Sequence, residues 1–320
     1  MLSAGSGCHF GCRSFWRAAG FLAFGLLVSV PVACLGQAKG LAEVPLDAPP
    51  ATYDKAIFLK PIGADQIAFL KGFEGKPSGD LMKDKQFKKV LHDNLPGVML
   101  HYGRDTPLDD VVDMVFKGST IPVEIRDGRY LLAAAANGPL PAKGFLWIDM
   151  QDGLFLGGFY FHPTNGEPTP SLTIFSKQIK VDALSMGQLP PAFAHDVALW
   201  SISAHAQFIS TRYFIGSARK KILVEHDEDY CAPKTGLAVP PGGACATMNE
   251  QAADIDLNTA YYLDQTGHAT NSTARMLASG SLNDFMALRT NRCGGVADPI
   301  GCRVHMTHEH IHSVVHGGRR

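Results

Sequence analysis

Four cysteines gathered in the last third of the chain, Cys231, Cys245, Cys293 and Cys302, constrain it more than any other feature. None of them forms a Cys-x-x-Cys knuckle, so they read as two disulfides made in an oxidising compartment rather than as a zinc site. Three pairings are open. Sequential bridges, 231–245 and 293–302, close short loops, whereas crossed bridges tie distant segments together and restrict the unfolded chain more. Either way the segment around them is a small, covalently closed unit.

The other three cysteines, Cys8, Cys12 and Cys34, fall in a segment of different character. Residues 1–38 carry Arg13 and Arg17 and no acid, then an apolar stretch from Ala18 to Cys34, then Gly36-Gln37-Ala38 with small residues where a signal peptidase reads. This is the grammar of a secretory signal and predicts a periplasmic or secreted protein. Val32-Ala33-Cys34 also resembles the end of a lipobox, with Pro31 where Leu is usual, which makes a lipid anchor at Cys34 the alternative form of attachment. The apolar core is shorter than the roughly 20 residues a spanning helix needs and no later run reaches that length, so no membrane span is expected.

Of 320 residues, 46% are hydrophobic and 18% charged, enough apolar material for a sizeable core. The 29 basic and 30 acidic side chains nearly cancel, and losing the two leader arginines takes the charge from −1 to −3. The densest basic cluster, Arg219-Lys220-Lys221, is followed at once by Glu225-His226-Asp227-Glu228-Asp229. Nucleic acid is therefore excluded as a partner, since binding it takes a continuous basic stripe.

The remainder reads as an α+β protein with two domains. Residues 39–226 open on a Pro/Ala-rich linker, Val44 to Ala51, and continue with three-and-four apolar spacing in Ala64 to Gly72 and Lys83 to Asn94, which predicts amphipathic helices. From about 98 onward, short apolar runs between Gly and Pro predict an antiparallel sheet: Arg129 to Ala136, Gly144 to Met150, Leu154 to Phe161, Ser171 to Ile179 and Tyr213 to Val224. Asp152-Gly153 predicts a hairpin turn, and Pro190 to Ile209 a helix on Phe193, Val197 and Trp200. Residues 231–320 are helical: Met248, Ala252, Ile255, Thr259 and Tyr262 make one face, Leu282, Met286, Arg289 and Cys293 a second, and Val304, Ile311, Val314 and Val315 a third.

One constellation lies in this last part: Asp254-x-x-Leu257-Asn258-x-x-Tyr261, then Phe285-x-x-x-Arg289-x-x-x-Cys293, then Cys302 with Thr307 and Ile311. In order and spacing it resembles the small exported helical domain named after the lysozyme inhibitor LprI, over about residues 231–316. Phe285 stands where that family usually has Trp, His310 replaces its last-helix Arg, and Pro240-Pro241-Gly242-Gly243 interrupts its first helix. The resemblance implies an exported cell-envelope binding protein, lysozyme-inhibitor-like, with no catalytic residues of its own. Read without the family, Asp254, Asn258 and Tyr261 share one helix edge, where they either present an amide and a phenol together or bond to the next helix. Arg289 would lie beside the cysteine four residues on and hold Asp254 or a helix carboxyl end.

Binding a lysozyme means meeting a strongly basic enzyme whose cleft holds two carboxyl groups. The acidic run before Cys231 would speed encounter, or else is a solvated linker between domains. Asn165 and Glu167, in the Pro-flanked loop His162 to Pro170, are the expected contact residues, because a stiff loop loses little entropy on binding. A different class of function is metal binding. His305, His308, His312 and His316 repeat at 3-4-4, so a continued helix aligns them as ligands for a divalent transition metal. A third is an uncharacterised hydrolase using Glu167 with His162, or Asp196 with His195 and Arg212. No nucleophile elbow, dinucleotide fingerprint or phosphate loop accompanies those residues.

Overall fold

A computed structural model describes residues 53, 55–101, 104–136, 142–161, 170–207, 209–232, 243–267 and 272–317, with the side chains of 267, 272–279, 316 and 317 left aside. The leader with Cys34, the loop carrying His162, Asn165 and Glu167, and the His316 side chain lie outside the described residues.

The first elements are short helices, α1 (Ala64–Ile67), α2 (Ser78–Leu81) and α3 (Lys85–Asn94). Asp84 starts α3 by accepting the free amides of Gln86 and Phe87 at 2.8 and 2.9 Å, and Phe87, Val90 and Leu91 form its buried stripe. A two-stranded hairpin, β1 (Met99–His101) and β2 (Asp105–Pro107), leads into α4 (Leu108–Phe116). This helix corrects the strand-and-turn reading of the region. Its buried residues, Leu108, Val111, Val112, Val115 and Phe116, have helical spacing, but three valines in nine positions also suit a strand.

The main sheet is built from β3 (Glu124–Arg126), β4 (Tyr130–Ala135), β5 (Lys143–Asp149), β6 (Leu154–Phe161), β7 (Ser171–Phe175), the two-residue β8 (Leu184–Ser185), β9 (Thr211–Ile215) and β10 (Lys221–Glu225), with α5 (Pro191–Ser203) between β8 and β9. The order across the sheet is β3-β4-β5-β6-β7-β9-β10-β8. Strands β3 to β7 form an antiparallel meander, with tight turns between β3 and β4, where Asp127 and Gly128 take φ of 57° and 62°, and between β5 and β6, where Gly153 takes 65°. Two pairs are parallel, β7 with β9 and β8 with β10. The first follows from α5, since a crossover through a helix returns the chain in the same direction. That helix stops at Ser203, short of the expected Ile209, where His205 turns the backbone with φ of 50°.

Strand β6 is buried along its whole length, the mark of a strand covered on both faces. Phe155, Phe159 and Phe161 join the core under α1, α3 and α4, whereas Leu154, Leu156 and Tyr160 join the core under α5. Consecutive glycines in its middle make room for one ring on each side. A Cβ at Gly157 would lie 2.2 Å from a Phe175 ring carbon, and one at Gly158 would lie 2.5 Å from Phe145. Glycine here is therefore a packing requirement.

Beyond the sheet come α6 (Ala244–Gly267), α7 (Ser272–Cys293) and α8 (Pro299–Gly317). The cysteines pair sequentially, Cys231 with Cys245 at the entry to α6 and Cys293 with Cys302 across the turn from α7 to α8. Two such bridges are consistent with an exported protein. No helix among the described residues is long and apolar enough to cross a membrane. Helix α6 packs on β9 and β10, and Leu223 of β10 enters the helical core with Leu257, Ala260, Tyr261, Phe285 and Ile311. The sealed face of α6 runs through Ala252, Ala253, Asp256, Leu257 and Ala260, and the expected Met248, Ile255 and Tyr262 are only half-buried.

Replacing Gly157 with Ala is expected to lower stability by about 1–3 kcal/mol, the usual effect of overfilling a tight core. Gly72→Ala, which meets nothing within 4 Å, serves as the near-neutral control in urea denaturation.

Candidate functional site

The residues carrying the family resemblance meet where α6, α7 and α8 cross. Arg289 of α7 is 3% exposed. Its Nη1 donates to Asp254 Oδ1 of α6 at 2.5 Å and to Thr307 Oγ1 of α8 at 2.6 Å, so one guanidinium joins three helices. The Thr307 hydroxyl donates onward to the Arg303 carbonyl at 2.7 Å, and Arg303 holds both carboxylate oxygens of Glu250 on α6 through its Nε and Nη2. That hydrogen bond holds the Glu250 carboxyl below the usual carboxylate range. Of the two readings of the Asp254 edge, the geometry takes the second for Asp254 and Tyr261, whereas Asn258 stays exposed and bonds within its own helix. Asn258 turns its amide to the Asp254 carbonyl at 2.7 Å, and the Tyr261 hydroxyl points inward to His310 Nε2 at 2.8 Å.

His310 also lies flat on Phe285, with centroids 3.9 Å apart and planes 6° from parallel. Burial pushes the imidazoles of His310 and His308 below their ordinary value. Along the rest of the histidine series, His305 is exposed beside Glu309 at 3.3 Å and His312 lies 3.8 Å from Glu225. Among the described residues no group of three His, Cys, Asp or Glu side chains is placed to hold a metal.

The acidic run before Cys231 lies along the seam between sheet and helices, with Asp227 and Asp229 exposed and His226 and most of Glu228 turned inward. His226 and Asp256 have no exposed side-chain surface. Asp256 Oδ2 accepts the His226 backbone N–H at 2.6 Å and Oδ1 meets the ring Nδ1 at 2.6 Å, leaving Nε2 buried with no hydrogen-bond partner. Glu228 pairs with Arg212 of β9. Burial acts to raise the Glu228 carboxyl, but the guanidinium outweighs it and holds the group low. Asp227 accepts the Gly187 amide at 2.9 Å, and Asp229 accepts those of Cys231 and of the Asn249 side chain.

Arg212 is thus not a partner of Asp196, which corrects one of the hydrolase pairings. Asp196, on α5, is 5% exposed. Arg126 holds it with two bonds of 2.9 and 3.2 Å, Trp147 Nε1 donates at 2.8 Å, and His195 Nδ1 lies 3.1 Å away. Burial alone would raise its carboxyl; these partners outweigh burial and lower it. A carboxylate so fully engaged is a structural counter-charge with no free lone pair for taking a proton. Arg126, Tyr130 and Trp200, which surround this group, escaped the sequence reading because no motif or spacing links a hairpin to a helix seventy residues later.

Arg289→Met is expected to destabilise the protein by about 3 kcal/mol, because it strips partners from Asp254 and Thr307 at a helix crossing. The double change Cys293→Ser, Cys302→Ser opens a short loop and is expected to remove about 2–3 kcal/mol. Both are read from urea midpoints.

For His308 and His310 the lowered folded values mean that, just below the ordinary value, the unfolded chain binds protons the folded chain refuses. Their stabilising contribution is therefore complete above about 6.5 and is lost as pH falls toward the folded values. The urea midpoint should drop from about pH 7.5 to about pH 5.5, and His308→Gln should shrink that drop.

No family model matches the chain, and no curated protein and no solved structure matches it either.

Proposed function

We propose that the chain is an exported binding protein of the cell envelope whose helical part, residues 231–320, is a lysozyme-inhibitor-like module. The observation that carries this reading is the meeting of Asp254, Arg289 and Thr307 on three helices next to the Cys293–Cys302 bridge. These are the residues on which the resemblance to the LprI-like domain rests, and they act together rather than being scattered over the surface. Their role is to hold the scaffold. Recognition then belongs to side chains that the scaffold presents, among which Leu288 on α7 and Val296 just after it are large, apolar and 46% and 43% exposed. Isolated apolar residues at a covalently fixed turn are anchors that lose little freedom on binding. A mildly acidic chain approaches a basic enzyme faster than a neutral one, and the rate falls with added salt.

In the same reading the leader directs the protein to the periplasm or the exterior, and acylation at Cys34 is the means of retention where the lipobox-like sequence is used. The test is a bacterial-cell lysis assay with mature protein and lysozyme, beside a tight-binding inhibitor as positive control. Slowed lysis at micromolar protein is expected, and Leu288→Asp should weaken it at least tenfold while leaving the urea midpoint unchanged. Absence of slowing at that concentration removes the reading.

A further inference from the structure

Strands β7 and β9 run parallel and end side by side at Phe175 and Ile215, and β10 starts next to them at Lys221. Backbone hydrogen bonds tie the loops at this end of the sheet to the segments before α1 and after α3. Lys177 donates its amide to the Asn94 carbonyl at 2.9 Å, Leu59 to Gln178 at 2.5 Å and Ser217 to Ile179 at 2.9 Å. Four stretches far apart in sequence, 58–60, 94–99, 177–182 and 216–221, therefore share one end of the fold.

Their charge is one-sided. They carry Lys60, Lys177, Lys180, Arg219, Lys220 and Lys221 against Asp182, in a mature chain whose charge is −3. The first five are exposed, and none of the five forms an ion pair among the described residues. Asp149 and Asp152, at the neighbouring turn from β5 to β6, are held by Arg129 and Lys55. The fold also removes the acids that follow this cluster in sequence. Glu225 is at the far end of β10, about 13 Å from Lys221 at the usual rise per residue, beyond the screening length of about 8 Å at physiological salt.

Arg219 holds φ of 60°, a conformation that suits glycine and strains an arginine. A Cβ at Gly97 would lie 3.7 Å from its Cζ, so the guanidinium rests beside the stretch that ends at Met99. Met99 is 57% exposed, and Leu59, next to Lys60, is 45% exposed. Only five large apolar side chains are so exposed among the described residues, and two of them fall in these four short stretches. A polyanion in water, nucleic acid included, would pair with the cations and leave both apolar side chains in water. A bilayer with anionic headgroups takes both kinds, its phosphates meeting the cations while the apolar side chains pass below them. We infer that this end of the sheet is a peripheral membrane-binding surface for anionic phospholipid, with Lys60, Lys177, Lys180, Arg219 and Lys220 on the headgroups and Leu59 and Met99 inserted.

The test mixes residues 39–320 with vesicles of phosphatidylcholine, alone or with an equal amount of phosphatidylglycerol, and sediments them. Binding at least tenfold tighter to the anionic vesicles is expected, falling as salt rises. The triple change Lys177→Gln, Lys180→Gln, Arg219→Gln should weaken it at least tenfold. The same loss of charge at exposed positions outside these stretches, Lys71→Gln, Lys76→Gln and Lys117→Gln, should leave it nearly unchanged. Leu59→Ser with Met99→Ser should weaken it severalfold. Arg219→Gly relieves the positive φ and should weaken vesicle binding without lowering the urea midpoint, so that lost binding is told apart from lost folding. Vesicle binding and lysozyme inhibition use different residues, so either can fail alone. The inference is overturned if anionic vesicles are not preferred, if the outside triple weakens binding as much as the first, if the Leu59 and Met99 changes leave it unaltered, or if double-stranded DNA binds as tightly.

Discussion

The buried carboxylate of Asp256 decides how the two halves of this protein meet. Removing a charge from water is unfavourable by several kcal/mol, and the deficit is met only where each oxygen finds a donor. Both donors come from one residue at the end of β10, the backbone amide and the ring of His226. Helix α6 therefore has one permitted rotation against the sheet. That rotation carries Leu257, Ala260 and Tyr261 onto Leu223, and from there onto α7 and α8. The Arg212 and Glu228 pair beside it follows the same rule, with opposite charges sealed together across β9 and the connecting segment.

This constraint also accounts for how far the sequence could be read. Apolar spacing along α6 favours the face of Met248, Ala252, Ile255, Thr259 and Tyr262; the molecule seals Ala252 and Thr259, but the helix is turned toward Asp256, which leaves Met248, Ile255 and Tyr262 half-buried. Periodicity counts apolar residues and is blind to a polar residue buried with its partner. Where partners are local the reading is close: β6 spans the expected Leu154 to Phe161, the hairpin turns at Gly153, and α7 buries Arg289 and Cys293 as its spacing indicates. The bond from Arg289 to Asp254 was accessible from spacing, whereas its second bond, to Thr307, depends on how α8 folds back. The grouping of Asp196 with Arg126 and Trp147 was illegible, since these residues come together only through the order of strands and the placement of α5.

The inward use of Asp254, Arg289, Thr307 and Tyr261 separates what a resemblance conveys about architecture from what it conveys about recognition. Side chains that tie helices together can persist while the outer face changes freely, so the same interior can support unlike binding surfaces. His310 is an instance within this chain. It stacks on Phe285 and bonds Tyr261, so its ring closes the interior while Glu309 and His312 on the same helix face outward.

The sheet ends in strands of three residues, β3, and two residues, β8. An open sheet margin is the natural template for fibril growth, because its unpaired amides and carbonyls can recruit an extended segment from another molecule. Margins this short offer a newcomer only a few such groups, and Glu124 and Arg126 place charge along one of them. Crowded copies of this chain should therefore stay apart through their backbones and associate, where they do, through side chains alone.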